Sequence, residues 1–447
     1  TGELSAPLRA RLLSAGELMA TEVAVAYLAS AGVAVTRVDA RDVLRSGGVL
    51  PPGDPRHFLA ADFDPDHDPA LAEAWEALPG VVVTQGFIAG DEQGRTVLLG
   101  RGGSDTSAAW IAAKLGATRL EIWTDVPGMF SANPRLIPSA RLLKRLSFEE
   151  AQEIAATGAK VLHPRCLPIA HRSGIPVHVH STRQPELPGT VIARGPDGGP
   201  PRIKAVSART GVTLVSMEGL GMWQEAGFLA RAFAVFADLG LSIDLVSTSE
   251  SVVTVTLDST LGEVDDDTLD LLQRRLAPLC RVRVVHPCAA VSVVGARMRA
   301  NLHKLAPVLE IFEEHQVYLV SQAASDLNFT VVVEEAQVDP LIRSLHALVL
   351  GHPGEDEVMG PSWEELSAPP ESRAPAAQPW WRRKRDTLLA LAGETPSLYV
   401  YDADTLRRAA DHRARADLPR SRGADRALGH RAHAFHGGAD RSRRGVE

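Results

Sequence analysis

The chain of 447 residues is 45% apolar and 23% charged, as is typical of a folded globular protein, and it has room for about two to four domains. Its formal net charge of −8 at pH 7 argues against nucleic acid as the main partner. We find no signal peptide and expect no membrane span, and the three scattered cysteines argue against disulfides and zinc. These bounds predict a cytoplasmic enzyme.

Helix-like and strand-like segments alternate from Ser14 to about Thr182. The predicted strands are Val33–Val38, Val81–Thr84, Thr96–Leu99, Leu120–Thr124 and Val177–Val179, and the predicted helices are Ser14–Ala31, Phe148–Thr157 and Leu162–Arg172. This alternation indicates a layered α/β domain with a largely parallel sheet, in which ligands bind at the carboxyl ends of strands. The Pro/Gly/Asp-rich stretch Leu50–Asp68 predicts a surface excursion.

The stretch LGRGGSDTSAA, Leu99–Ala109, carries the clearest ligand-site pattern, because a predicted strand runs into a glycine-rich loop that opens a helix. Glycines let the backbone approach a ligand, and the helix N-terminus attracts anions. Arg101 in this loop can hold a carboxylate by two parallel hydrogen bonds. Such turns are also common outside ligand sites, so the pattern becomes specific only with partners elsewhere in the chain.

Other polar residues lie where such a site needs them. Glu17, at a predicted helix start, can bind an ammonium group or be an ordinary first-turn acid. Asp105 can orient reacting groups or cap its helix. Thr124 and Asp125 end a predicted strand and suit a ribose, a purine or a Mg²⁺-bound phosphate. Two later basic residues suit phosphate, although the second can instead offset a helix dipole: Arg135 and Lys160. The histidines lack metal-ligand spacing, so we predict no resident metal site.

A second region begins after the Gly/Pro-rich stretch Gly195–Pro201. Two units with a strand, helix, strand, strand order follow, at Gly211–Asp258 and Ala289–Val333, and they suggest tandem β-α-β-β modules. The second unit includes a predicted helix at Leu302–Glu314. A Pro/Ala-rich linker then covers Ser367–Gln378.

The last 36 residues, His412–Glu447, hold nine arginines and four histidines and show neither helical nor strand periodicity. One interpretation is a basic nucleic-acid arm, and another is a disordered tail. We favour a third, an out-of-frame translation product, because GC-rich codons read in the wrong frame yield Ala, Arg, Gly and His.

Three segments, Val81–Ala117, Ile122–Arg135 and Gly158–Val179, resemble in order and spacing the signature segments of the aspartate kinase family. The resemblance extends from about Leu8 to Leu350. It implies the amino acid kinase fold and phosphorylation of the β-carboxylate of L-aspartate by MgATP, the first step of the diaminopimelate route to lysine. The residue types fit, because phosphoryl transfer needs positioned reactants and cations, and a carboxylate is already a nucleophile.

The resemblance also assigns roles to single residues. It implies that Glu17 binds the aspartate ammonium group, that Arg101 and Ser104 bind the aspartate carboxylates, and that Asp105 is a catalytic-site acid. It assigns ATP contacts to Thr124, Asp125, Phe130, Arg135 and Lys160. Relatives usually have tyrosine at the position of Phe130, so the hydroxyl contact is lost and stacking is what remains.

The start of the chain departs from the family pattern. The family opens with a strand and a glycine-rich Lys-Phe-Gly-Gly-Thr-Ser loop that supplies a catalytic lysine, and nothing like it precedes Thr1, so the start looks truncated. Losing such an electrostatic group commonly costs ~10²–10³-fold in rate. The chain as written is therefore expected to be weakly active or inactive.

The tandem units resemble the paired ACT domains of aspartate kinases, which bind amino acids at a pair interface. The segment Gly221–Glu250 looks most like lysine-sensitive members, which implies lysine as the inhibitor and a homodimer. The implied effector-binding residues are Met222, Glu225, Gly227, Phe228, Leu229, Asp244, Thr248 and Ser249. Backbone N–H groups after Gly227 suit the effector carboxylate and Asp244 its ammonium group, while Phe228 and Leu229 also suit the core.

Pro379–Asp411 is similar to the N-terminal edge of diaminopimelate decarboxylases, pyridoxal-phosphate enzymes whose barrel and Schiff-base lysine are absent here. The parent therefore resembles a bifunctional aspartate kinase/diaminopimelate decarboxylase, and we expect neither pyridoxal phosphate nor decarboxylation in this chain. The expected parts are a kinase domain without its first strand (1–200), tandem ACT domains (201–360), a linker (361–378), the decarboxylase-like fragment (379–411) and the tail (412–447).

Two other functions compete with a lysine-inhibited kinase. One is a non-catalytic amino acid sensor with a crippled kinase domain and working ACT modules, which would bind lysine without ATP turnover. The other is a different amino acid kinase, such as a glutamate kinase. The ACT pair and the segment Ile122–Arg135 argue against the second alternative.

Overall fold

The computed structural model describes residues 5–47, 54–63, 66–158, 161–195, 202–219, 226–257, 264–300, 316–322, 325–351 and 357–367. The chain divides into two units, Thr1–Ser367 and Ala368–Glu447, and every described residue belongs to the first. Most of the predicted linker, the decarboxylase-like fragment and the tail therefore lie outside the described residues, as do most of the predicted boundary at 195–201 and the predicted helix at 302–314.

The first helix, α1 (Ala6–Ser30), has a proline in its first turn, where the missing N–H costs nothing. Ala10 and Leu18 pack with Ile88 and Leu98. Several of its other apolar side chains are exposed, among them Leu12, Met19, Val23 and Tyr27. By length and composition alone α1 could cross a membrane, contrary to expectation, although one such helix is weak evidence because core helices of soluble proteins pass the same test.

The α/β part continues as predicted, with short strands that alternate with helices. Its elements are β1 (Val35–Arg37), α2 (Ala40–Val43), β2 (Arg45–Ser46), α3 (Arg56–Leu59), α4 (Pro69–Glu76), β3 (Val81–Val83), β4 (Ile88–Asp91), β5 (Thr96–Leu98), α5 (Gly103–Leu115), β6 (Leu120–Thr124), β7 (Arg141–Leu143), β8 (Arg145–Ser147), α6 (Phe148–Ala156), α7 (Cys166–Arg172), β9 (Val177–Ser181) and β10 (Thr190–Ala193). Among the described strands of this part, the parallel pairs are β1–β3, β2–β4, β6–β9 and β8–β10. Small residues on α5, including Ala109 and Ala113, let the helix pack closely with Ile122 and Val179 in the main core.

The predicted surface excursion at Leu50–Asp68 is wrong in part. Ala61 and Phe63 are buried in the main core, and the Phe63 ring meets Trp110 of α5 edge-to-face at 5.8 Å between centroids. Ala61 N–H also donates to the Leu98 carbonyl at 2.8 Å. The proline and glycine content of the stretch predicted a surface loop, but the buried side chains of Ala61 and Phe63 attach it to the domain core.

The two predicted β-α-β-β units share one six-stranded antiparallel sheet, in the order β12-β13-β11-β14-β16-β15. Its elements are β11 (Arg202–Glu218), α8 (Phe228–Asp238), β12 (Ile243–Thr248), β13 (Val252–Leu257), α9 (Asp266–Leu276), β14 (Arg281–Ala296), β15 (Val317–Gln322), β16 (Asn328–Glu334), a 3-10 turn at Glu335–Gln337 and α10 (Val338–Leu350). The long strands β11 and β14 pair from Arg202↔Ala296 to Glu218↔Arg281, so they run through both β-α-β-β units.

Two short elements follow α10 that the sequence did not predict. They are β17 (Met359–Ser362) and α11 (Trp363–Ser367). β17 pairs antiparallel with β7, with Met359 opposite Leu143. The chain after the six-stranded sheet, here called the regulatory sheet after the ACT resemblance of its sequence, therefore returns to the α/β part.

Candidate active site

The glycine-rich loop between β5 and α5 is tightly enclosed. Gly100 and Gly102 have φ values of 78° and 64°, which side chains rarely adopt. A Cβ on Gly102 would lie 2.0 Å from Cγ of His163, and a Cβ on Gly103 would lie 2.6 Å from Cδ2 of Phe87. The loop thus needs glycine both for its conformation and for its close approach to its neighbours.

Arg101 and Ser104 are the polar side chains of this loop and of the first turn of α5. Both are exposed, and neither side chain has a hydrogen bond or ion pair within the described part of the chain. They lie at the start of α5, a helix of 13 residues whose first-turn N–H groups and dipole favour an anion. A guanidinium and a hydroxyl at this position can bind a carboxylate.

Asp105 accepts a hydrogen bond from the backbone N–H of His163 at 3.1 Å. Arg165 reaches the other side of the loop, where its Nη1 donates to the Leu99 carbonyl at 2.7 Å. The pKa of His163 is lowered by burial, and the charges of Arg165 and Arg101 add to this, while Asp105 opposes it. Sequence reasoning assigned no site role to His163 or Arg165, because only the fold brings 163–165 to the glycine loop.

Thr124 and Asp125 lie at the carboxyl end of β6. The Thr124 hydroxyl donates to Asp125 Oδ1 at 3.2 Å, and Asp125 Oδ2 lies 3.8 Å from Nη2 of Arg135. The side chains of Asp125 and Arg135 are 56% and 82% exposed, so a phosphate could displace their ion pair at small cost. Because the short connection at 116–119 makes β6 return along α5, these residues emerge at the end of the domain where α5 begins.

Residues 129–143, here called the 129–143 hairpin, carry Phe130 and Arg135. Ser131 N–H donates to the Arg141 carbonyl at 2.8 Å, and Leu143 N–H donates to the Met129 carbonyl at 2.8 Å. The expectation that the Phe130 ring stacks on a ligand does not fit the structure. The ring is 4% exposed and meets Trp363 edge-to-face at 5.6 Å, because the core between the hairpin and the regulatory sheet buries it.

Two other predicted site residues, Glu17 and Lys160, form no described contact with the site residues above. Glu17 lies in the middle of α1 and not at a helix start as predicted, because the helix begins at Ala6. It is half-buried, and its carbonyl accepts a hydrogen bond from Thr21. The helix packs on β5, the strand that leads into the glycine loop. Lys160 lies outside the described residues, although Gly158 before it packs so closely on β11 that a Cβ would lie 2.1 Å from the Ala208 carbonyl oxygen.

The predicted effector residues are spread along the first regulatory unit. Gly227, with a φ of 84°, precedes α8, Phe228 is buried, and Leu229 is 43% exposed, so Leu229 is a surface residue and not part of the core as expected. Thr248 and Ser249 are exposed at the β12–β13 turn, where Ser249 Oγ accepts from Val252 N–H at 3.1 Å. Met222 and Glu225 lie outside the described residues.

Asp244 already has a partner in the structure, because its carboxylate forms an ion pair with Arg209 of β11. It also lies far from Gly227. Since the short turn 239–242 joins α8 to β12, Asp244 lies beside the end of α8 while Gly227 lies at its start, about 16 Å away for a helix of this length. Within one chain, Gly227 and Asp244 are therefore too far apart to bind the carboxylate and the ammonium group of the same amino acid ligand.

Comparison with known proteins decides the family. A model of the amino acid kinase family matches residues 3–181. Lysine-sensitive aspartokinase 3 of Escherichia coli (strain K12) is 37% identical over 351 residues, which cover 77% of this chain and 76% of that protein. The chain belongs to the aspartokinase family.

Two solved structures of E. coli aspartokinase III extend the match to three dimensions. The R-state complex with aspartate and ADP is 36% identical and has a TM-score of 0.67, with 78% of this chain and 77% of that chain covered. The T-state complex with lysine and aspartate is 35% identical and has a TM-score of 0.63 over the same shares. The predicted class, an amino acid kinase fold followed by β-α-β-β regulatory units, is confirmed for this aspartokinase.

Proposed function

We propose that this aspartokinase transfers the γ-phosphoryl group of MgATP to the β-carboxylate of L-aspartate, forming 4-phospho-L-aspartate and ADP. The observation that carries the proposal is the exposed pair Arg101 and Ser104, without a partner among the described residues, at the start of α5 and at the same end of the domain as Thr124 and Asp125. The related E. coli enzyme was crystallised with aspartate and ADP, which supports the same substrates here.

Each group has a chemical task in this scheme. Arg101 and Ser104 hold the aspartate carboxylates, and Glu17 takes the ammonium group. Asp105, anchored by the His163 N–H, keeps a negative charge at a fixed point beside the reacting groups. Because a carboxylate is already nucleophilic, the site has to align the reactants and stabilise charge and does not need a strong general base.

The nucleotide side of the site consists of Thr124, Asp125, Arg135 and, outside the described residues, Lys160. Arg135 can leave its exposed ion pair with Asp125 to meet phosphate oxygens. The Asp125 carboxylate then becomes free for the magnesium ion that accompanies ATP, since Mg²⁺ prefers carboxylate oxygens and water. For Phe130, whose ring is buried, we propose a backbone contact only.

We propose lysine as the feedback inhibitor, bound between two copies of the chain in a homodimer. Lysine bound to the related T-state structure supports the effector. The separation of Gly227 from Asp244 supports the second copy, because a twofold axis can bring the start of one α8 to the Asp244 end of the other. Lysine would have to displace Arg209 from Asp244. A cytoplasmic location remains part of the proposal.

A non-catalytic lysine sensor is the alternative, and a hydroxylamine-trapping assay on the purified 447-residue chain separates the two. A kinase forms aspartyl hydroxamate only when ATP and aspartate are both present, and calorimetry with Mg·ADP detects the nucleotide site even when turnover is slow. Lysine binding with neither hydroxamate nor ADP binding would reject the kinase in favour of the sensor.

A further inference from the structure

Residues 357–367, here called the strap, lie along the 129–143 hairpin and beyond the range of the aspartokinase resemblance, which ends at about Leu350. Hydrogen bonds join the strap backbone to the hairpin and to Lys144, which follows it. Lys144 N–H donates to the Val358 carbonyl at 2.7 Å, Arg141 Nε to the Gly360 carbonyl at 2.8 Å, Trp363 N–H to the Ala140 carbonyl at 2.8 Å, and Glu364 N–H to the Pro138 carbonyl at 2.9 Å.

Side chains of the strap fill the space behind the hairpin. The Trp363 ring packs edge-to-face on Phe130 at 5.6 Å, and Leu366 is buried in the cluster that contains Phe130 and Leu142. Gln184 Nε2 donates to the Leu366 carbonyl at 3.3 Å. Aromatic pairs of this geometry add stabilisation beyond the area that they bury.

The strap also stabilises its own turn. Ser362 N–H donates to Glu365 Oε2 at 2.7 Å, and Glu365 N–H donates to Ser362 Oγ at 3.2 Å. This reciprocal pair fixes the start of α11 and therefore the position of the Trp363 backbone. The strap is thus a preformed element that docks on the hairpin through backbone and ring contacts.

These contacts stabilise the 129–143 hairpin, because a two-stranded hairpin alone is marginally stable in water. β17 adds a strand to β7, and Trp363 covers Phe130 on the hairpin's other strand. Arg135 lies at the exposed tip of the hairpin. Its position therefore depends on how firmly the two strands of the hairpin are held. A displacement of about 1 Å at such a binding group is enough to lose much of its contribution.

We propose that the strap is a positioning element for nucleotide binding and that Trp363 is its positioning residue, acting through Phe130 and the backbone of 138–141 on Arg135. The inference rests on the proposed function, because ATP is the ligand that Arg135 would meet. It adds to that function a dependence of the nucleotide site on a segment that follows the regulatory sheet.

The test compares full chains that carry Trp363→Ala, Trp363→Phe or Glu364→Gln. Glu364 is the matched control, because its side chain is exposed and its contact with Pro138 uses the backbone. We expect Trp363→Ala to weaken Mg·ADP binding by about tenfold in calorimetry, while Trp363→Phe and Glu364→Gln stay within about twofold. Aspartate affinity should not change in any variant.

Hydrogen exchange of the hairpin amides supplies a readout that does not depend on nucleotide. Trp363→Ala should speed exchange at Ser131 and Leu143 and leave the α5 amides unchanged. Faster hairpin exchange with unaltered ADP affinity would overturn the proposal, since the strap would then be structural only. Parallel loss of ADP and aspartate binding would also overturn it, as general unfolding. If the unsubstituted chain bound no ADP, the proposed function would fail first and the inference with it.

Discussion

Arg101 combines three properties that a substrate-binding cation needs. It is exposed, it has no partner among the described residues, and it lies at the start of a long helix. Arg165 shows the opposite case, because its guanidinium bonds the Leu99 carbonyl and so supports the loop. Residue type alone did not distinguish these roles, whereas burial and partners do.

The first prediction concerns Arg101. Arg101→Ala should raise the dissociation constant for aspartate by about 10- to 100-fold, because a charge-assisted hydrogen bond contributes about 1.5–3 kcal/mol. Calorimetric titration with aspartate measures this. Arg172→Ala, an equally exposed arginine at the end of α7, is the control and should leave the affinity unchanged. An unaltered affinity in Arg101→Ala would exclude it from the substrate site.

The second prediction concerns His346, which lies buried with Nε2 2.9 Å from Ser131 Oγ. Ser131 Oγ accepts from Arg141 N–H, so its own proton can donate to a neutral His346 ring. Burial lowers the pKa of His346 below its usual 6.5. The unfolded chain therefore binds the proton more readily, and this group lowers stability as the pH falls below about 6.5 towards the folded-state pKa.

Urea unfolding between pH 8 and pH 5 checks the contribution of His346. The His346→Gln variant should be less stable than the unsubstituted chain at pH 8 and should lose less stability on acidification. His171→Gln, a more exposed histidine, is the control for general titration effects. Equal acid sensitivity of all three chains would contradict the assignment.

At the scale of elements, α6 is the bridge between the kinase core and the regulatory sheet. A capping box between Ser147 and Glu150 starts the helix. Three polar contacts then join it to the sheet: Lys204 Nζ to Glu150 Oε2, Asn328 Nδ2 to Glu153 Oε2, and Thr157 Oγ1 to Ser207 Oγ, each at 2.5 Å. Since α6 leads directly to Gly158 and Lys160, movement of the sheet would reach the predicted phosphate-binding segment.

The third prediction uses the Lys204–Glu150 pair, whose side chains are 12% and 5% exposed. Lys204→Met leaves the Glu150 carboxylate buried without its cation, which should cost about 3–5 kcal/mol of unfolding free energy. The double variant Glu150→Gln/Lys204→Met removes both charges and should be clearly more stable than Lys204→Met alone. Denaturant unfolding measures both, and equal losses in the two variants would show that the Glu150 carboxylate carries no penalty for burial without its cation.

At the scale of the whole molecule, the regulatory sheet is continuous through both units, and each unit has its own helical core. The second unit and the 129–143 hairpin share one apolar cluster, whereas the first unit, with the predicted effector residues, has a separate core. In the proposed regulation, a signal can pass along β11 and β14, the two strands common to both β-α-β-β units, or through the apolar cluster that contains Leu319 of β15 and against which Leu245 of β12 packs.

The fourth prediction concerns effector binding by the assembled protein. Asp244→Ala should abolish lysine binding in calorimetry and leave aspartate affinity unchanged, because Asp244 lies in the regulatory sheet. Sedimentation should show a dimer with or without the substitution. Glu218→Ala, on the same sheet but outside the predicted effector residues, should bind lysine normally. Lysine binding that survives Asp244→Ala would place the effector elsewhere.

Much of the architecture was predictable because it depends on local signals. β6 has the predicted bounds, Leu120–Thr124, because an apolar run is followed there by Thr-Asp and a proline-glycine turn. The glycine loop before α5 was predictable because positive φ values need glycine. The burial of Phe130 and of Phe63 was not, since each depends on a partner, Trp363 or Trp110, that is distant along the chain.

The sequence by itself determined the family, the order of elements and the residue types at the candidate site, because these follow from periodicity, turn chemistry and motif spacing. Only the tertiary structure decided which charges are free and which are already paired. Arg101 is free within the described chain, whereas Asp244 and Arg165 have partners in elements far away in sequence. It also joined β17 to β7, because strand pairing depends on which edges meet after the chain has packed.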